Sequence, residues 1–442
     1  MSADFHISSG PSRRPHRLRR RAVATVAAAL LLTPIAGAST ASPRKPTLGD
    51  PSVISDWNVT ALSTLLGDAT KSPQEAQLYL AFVNAAMYDA VVGIDGRYQP
   101  YALHARAPRG ASDQAAAVAA AHRILVTYSP SSRAGLDAHY AASLGQIPDG
   151  RAKTAGVTYG RLAADNLISR RANDGRNASV LFTKPPAPGV WRPTPPASMP
   201  MLVPWLGAVT PLLVRDGAQF GEPGPPPALT SRRYARDFAE VKALGSLSST
   251  TRTADQTSTA LFFSGNAFLQ YNTALVDQAR VRDLDFVDTT RMFAAVSMSI
   301  TDALISVWRA KYLYGFWRPI TAINLADTDA NPATTADPTW VPLLTTPPYP
   351  DYVSGYSGVT GAFTRALAGA LGTRHLNLTL ISSAVPNVTR TYHTGTALDQ
   401  DVINARIWLG IHFRFADTAG VAMGHDVANW ALQHHFRPLR HH

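Results

Sequence analysis

Lys311, Arg318, Arg406 and His412 are the residues whose chemistry is hardest to ascribe to packing alone. Lys311 and Arg318 stand seven apart in Trp308-Arg-Ala-Lys-Tyr-Leu-Tyr-Gly-Phe-Trp-Arg-Pro319, so a continuous helix would point both the same way. Their neighbours Trp308, Tyr312, Leu313, Phe316 and Trp317 are apolar. Two cations buried there need a counter-ion. The competing arrangement lays both stems on the core with the charged heads in water. A second stretch, Pro347-Pro-Tyr-Pro-Asp-Tyr-Val-Ser-Gly-Tyr-Ser-Gly358, runs through Ser354-Gly355 into a predicted helix, Val359–Leu371. A serine and glycine at a helix start present free N–H groups, a hydroxyl and a favourable dipole to an anion. Such residues also cap most helices, and this is not the G-x-S-x-G elbow of a serine hydrolase. In the third stretch, Arg406 and His412 lie six apart in an apolar run. A lone histidine there is more often a satisfied core residue, but a second buried-looking cation beside it favours a ligand. Together the groups suit a tetrahedral oxyanion, with three cations to balance its charge and arginine forks to match its oxygens. His412 would offer a ring nitrogen, as nucleophile towards phosphate or as ligand to a transition-metal oxyanion.

In this order and spacing the residues resemble the signature of the vanadium-dependent haloperoxidases and the related type 2 phosphatidic-acid phosphatases: Lys311-x6-Arg318-Pro319, then Ser354-Gly355, then Arg406-x5-His412. The flanking text, Phe316-Trp-Arg-Pro-Ile-Thr-Ala-Ile323 and Gly410-Ile-His-Phe-Arg414, is similar to the secreted bacterial branch, and the likeness is strong from about Arg252 to Phe436. The resemblance implies vanadate as cofactor, held by Lys311, Arg318, Arg406, the Ser354 hydroxyl and the Gly355 N–H, with His412 bonded directly to vanadium. It further implies hydrogen peroxide, a halide and a small organic acceptor as partners. Trp308 and Tyr349 match the positions that border the halide site, where aromatic rings also suit ordinary packing. One departure matters. Tyr356 stands where the family carries the acid/base histidine of its Ser-Gly-His motif. A phenol of ordinary pKa, about 10, shuttles protons poorly near neutrality, and the loss of such a group costs on the order of 10²–10⁴ in rate. His393 is the expected substitute, provided that it folds into the site. Arg406 should want an acidic partner; Asp255 is the first candidate and Asp302, on the Lys311 helix, the second. Two other functions use the same cradle: an acid phosphatase acting on a phosphate ester through a phospho-His412 intermediate, and an oxyanion-binding relative that has lost the chemistry.

These residues have to be positioned by helices. The 442-residue chain is 45% apolar and 16% charged, ample for a large core. Ser72-Pro-Gln-Glu75 reads as a capping box opening an apolar face through Leu78, Phe82, Ala85 and Ala86. Helical periodicity follows over 115–128, 132–144, 151–168, 230–244, 254–263, 290–314, 358–371, 399–412 and 418–436, and alternation with period two is never sustained. Between Pro185 and Pro227 lie 13 of the 33 prolines, with Trp191 and Trp205, which predicts a long irregular segment packed over something. The expected architecture is all-α: two successive helical bundles, over 42–180 and 230–437, with a Pro-rich loop region over 181–229 between them.

The net charge of +11 is uneven. Residues 1–41 hold six arginines and one acid, and the remaining surplus of six, without long basic runs, does not suit nucleic acid. Arg13–Arg21, the apolar run Ala22–Leu32 and Ala36-Gly-Ala38 read as a secretory signal peptide, so the expected location is extracellular. Absence of cysteine excludes disulfides, thiolate metal sites and a catalytic thiol. No later stretch of 18 uncharged apolar residues occurs, so the mature chain is not expected to span a membrane.

Overall fold

The computed structural model describes residues 49–220 and 223–439; the leader lies outside them. Its helices are α1 (Ser52–Gly67), α2 (Pro73–Asp95), α3 (Asp113–Tyr128), α4 (Arg133–Gly145), α5 (Arg151–Arg170), α6 (Arg232–Leu244), α7 (Ala254–Phe262), α8 (Ala267–Val281), α9 (Phe286–Tyr314), α10 (Pro319–Asn324), α11 (Gly355–Leu371), α12 (Gly395–Trp408) and α13 (Arg414–His434). As expected, the chain is a helical-bundle protein. Ser72 Oγ accepts from the Glu75 N–H at the start of α2, and Asp285 accepts from the Val287 and Asp288 N–H groups at the start of α9.

The centre of the molecule is α9, 29 residues long and buried along nearly its whole length. α2 packs against it from the N-terminal half, α11 and α13 from the C-terminal half, and one continuous apolar core runs through all four. α2 has the length and mean hydropathy (1.3) of a membrane span, but 89% of that window is buried within the protein. α11 and α13 approach closely because glycines face each other: a Cβ on Gly424 would stand 2.2 Å from the Gly358 carbonyl oxygen.

One short sheet was not legible as such. Strands β1 (His375–Ile381) and β2 (Thr389–Thr394) form an antiparallel hairpin, Thr379 opposite Thr391. Leu376, Leu378 and Leu380 do alternate inward, but over only seven residues.

The Pro-rich segment is ordered and braces the turn between Lys311 and Arg318. Trp191 N–H donates to the Gly315 carbonyl, and Trp317 N–H donates to the Gly189 carbonyl. Buried Asp302 accepts three backbone N–H bonds, from Leu212 (2.7 Å), Leu213 (2.6 Å) and Val214 (2.9 Å), pinning the segment to α9.

Candidate active site

Lys311 and Arg318 do not share a helix. Gly315, at φ 57°, caps α9 in the left-handed region, and Arg318 is the N-cap of α10 with Pro319 at its first position. The chain reverses between them, yet both side chains converge with 0% exposure. Arg406 and His412 are likewise separated. α12 ends at Trp408, Gly410 turns the chain at φ 77°, and His412 lies on the connection to α13. There a Cβ at residue 410 would meet the Gly245 carbonyl oxygen at 2.3 Å.

Lys311 Nζ donates to the carbonyls of Pro350 (2.6 Å) and Asp351 (3.0 Å). Arg318 Nε donates to the Tyr349 carbonyl (2.7 Å), and Nη1 donates to the Ile411 carbonyl (2.5 Å) and lies against the His412 ring, 3.1 Å from Nε2 and 3.4 Å from Nδ1. The other nitrogen of His412, Nδ1, lies 2.7 Å from Asp351 Oδ1. Arg406 Nη1 donates to the Phe263 carbonyl (2.9 Å), and its guanidinium lies over the Tyr356 ring, 4.4 Å from the centroid. Burial drives the pKa of Lys311, Arg318 and His412 down, strongly for Lys311 and His412, and neighbouring cations push the same way. Burial raises that of Asp351 against the pull of Arg318 and Lys311.

Ser354 is fully buried at the start of α11, and its side chain caps none of that helix's N–H groups. Its hydroxyl donates to Ser357 Oγ (3.3 Å), which donates to Asp417 Oδ1 (2.8 Å). Burial pushes the Asp417 carboxyl up to about 7. Gly355 faces Trp308 and Lys311: a Cβ there would stand 3.2 Å from the indole. A cavity of about 270 Å³ opens beside the cluster, lined among others by Trp308, Tyr349, Gly355, Tyr356, Val359 and Arg406. The indole N–H of Trp308 donates to the Leu202 carbonyl, so the Pro-rich segment closes one side of this wall. A larger surface groove, about 540 Å³, runs past Lys184, Arg309 and Tyr312 and includes none of the cluster.

Arg318 Nη2 and Arg406 Nε are buried donors without an acceptor. With the uncapped start of α11 they form a set of donors that needs an acceptor; Asp351 Oδ2 and Asp417 Oδ2, on the acid side of the cluster, are also buried without a partner. An oxyanion such as vanadate or phosphate fits that need.

Three expected members are elsewhere. Asp255 is 87% exposed on α7, 3.9 Å from Arg390 rather than Arg406, because its place in the first helical turn faces solvent. Asp302 is spent on the Pro-rich backbone. His393 lies exposed on β2, its Nδ1 2.8 Å from Asn377 Oδ1, where the hairpin's pairing turns it away from the cavity lining. Tyr356 does line the cavity, with its O–H directed to Gln270 Oε1 at 3.4 Å. Two further acids, Asp351 and Asp417, complete the cluster. Asp351 sits inside the quoted Pro347–Gly358 stretch, where one carboxylate beside two buried cations was the available signal; Asp417, in the first turn of α13, looked like any helix-start acid.

Residues 291–441 match the family described as the VCPO second helical-bundle domain. Vanadium chloroperoxidase of Curvularia inaequalis is 32% identical over 90 residues, which are 18% of this chain and 14% of that protein. The fold is similar to the crystal structure of a bacterial vanadium-dependent iodoperoxidase, with TM-score 0.74 and 24% identity over 88% of this chain and 97% of that one. It is also similar to a holo-type bacterial vanadium-dependent chloroperoxidase, with TM-score 0.66 and 17% identity over 83% and 93%. Residues 291–441 are thus similar to the vanadium haloperoxidase family, and the fold of the chain is that of the bacterial vanadium-dependent haloperoxidases.

Proposed function

We propose that this protein is an exported, vanadium-dependent haloperoxidase-like enzyme that uses hydrogen peroxide to oxidise halide. The observation that carries the proposal is the pair of buried, unmatched donors, Arg318 Nη2 and Arg406 Nε, beside His412. Lys311, Arg318 and Arg406 would balance the charge of the oxyanion, the Ser354 hydroxyl and the α11 N–H groups would bind its oxygens, and His412 Nε2 would supply the direct bond. When bound, vanadate supplies the Lewis acidity that activates peroxide. Trp308 and Tyr349, with ring centroids 5.1 Å apart, wall the cavity through which halide and a small organic acceptor would approach.

The test is halogenation by the protein with peroxide and bromide, chloride or iodide, before and after loading with orthovanadate in phosphate-free buffer. Vanadate-dependent halogenation is expected. Hydrolysis of phosphate esters without halogenation would instead make it a phosphatase. A second reading, an oxyanion binder without turnover, is favoured by Tyr356, whose phenol is pushed further up by burial and so holds its proton at neutral pH. Tight orthovanadate binding with neither activity would establish that reading.

A further inference from the structure

His412 has two ring nitrogens, and one partner distinguishes them. Arg318 Nη1 lies 3.1 Å from Nε2 and 3.4 Å from Nδ1, so it does not tell the two apart. The Asp351 carboxylate does: its Oδ1 lies 2.7 Å from Nδ1, and a carboxylate accepts, so the ring proton sits on Nδ1 and is donated there, which leaves the lone pair on Nε2. His412 is 1% exposed and Asp351 fully buried, so water does not substitute for either partner.

We propose that Asp351 is the positioning residue for His412: it holds the imidazole in the Nδ1–H tautomer with the Nε2 lone pair turned into the cation cluster. This rests on the oxyanion reading above for its purpose, but not for its geometry. The backbone makes Asp351 a rigid support. Its N–H donates to the Phe316 carbonyl (2.9 Å), and its own carbonyl accepts from Lys311 Nζ. The carboxylate is thus fixed to the segment that joins Lys311 and Arg318, so one strut sets the angle of His412 relative to both cations. A carboxylate behind a ligating histidine fixes ring orientation and raises the basicity of the far nitrogen, and its loss typically weakens binding at that nitrogen 10–100-fold.

The experiment is ¹⁵N NMR of histidine-labelled protein without any oxyanion, with the His412 signals assigned by their loss in His412→Gln. In the parent, Nδ1 is expected to be protonated and Nε2 not; a proton on Nε2 overturns the proposal without any variant needing to fold. Asp351→Asn keeps an acceptor oxygen and should retain the tautomer, whereas Asp351→Leu should lose it. An unchanged tautomer in Asp351→Leu also overturns the proposal. Orthovanadate affinity, followed by ⁵¹V NMR, should fall at least tenfold in Asp351→Leu and less in Asp351→Asn. Absence of vanadate binding by the parent would overturn the functional reading while leaving the tautomer result standing, so the two failures are distinguishable.

Discussion

Tyr356 combines a raised phenol, an Arg406 guanidinium on its ring face and an O–H turned to Gln270. It can steady Arg406 but cannot trade protons near neutrality. Tyr356→His is expected to raise vanadate-dependent turnover by at least tenfold, measured as kcat for bromide oxidation; an unchanged kcat would remove this position from proton transfer. Arg406→Ala and His412→Ala should each weaken orthovanadate binding at least tenfold in calorimetry while leaving far-UV circular dichroism unaltered. Full binding by either would dismantle the cradle. The cations and His412 were legible because charged residues in apolar runs are anomalous wherever they occur. Asp351 and Asp417 were not, since an acid between prolines or at a helix start has ordinary local explanations; only the fold brings them to the cluster.

At the level of elements, the helices announced themselves, and so did some of their ends. The periodicity around Lys311 stops at Tyr314, where α9 ends before Gly315, but that around Arg406 runs on to His412, whereas α12 ends at Trp408 and Gly410 turns the chain. The convergence of the side chains depends on those turns, and on the Pro-rich segment that bonds across the first of them through Trp191 and Gly189. Asp302, expected beside Arg406, proves to hold that segment in place. Asp302→Ala strips the acceptor from three N–H groups at Leu212–Val214 and should cost about 3 kcal/mol, read from denaturant unfolding. Proteolysis within residues 185–227 should accelerate in the same variant.

Over the whole molecule, buried acids govern the response to pH. Burial lifts Asp89 and Asp302 to about 6 and Asp417 to about 7. Each binds its proton more tightly folded than unfolded, so its contribution to stability is fully present below about pH 4 and is lost as pH rises through the folded value. Asp68, drawn down to about 2 by Lys71, acts in the opposite sense at lower pH. The thermal midpoint of the parent should therefore decline between pH 5 and 8 more steeply than that of Asp417→Asn, as scanning calorimetry over that range would record. Orthovanadate at a hundred times its dissociation constant should add about 2.7 kcal/mol of stability.

The shared core around α9 also bears on what counts as a module. The family match begins at residue 291, inside a helix that starts at Phe286 and whose flank is roofed by α2, more than 200 residues earlier in the chain. A match that begins there does not mark a unit that folds alone: cut at that point, the segment would carry the whole cation cluster and leave the apolar side of its central rod bare to water.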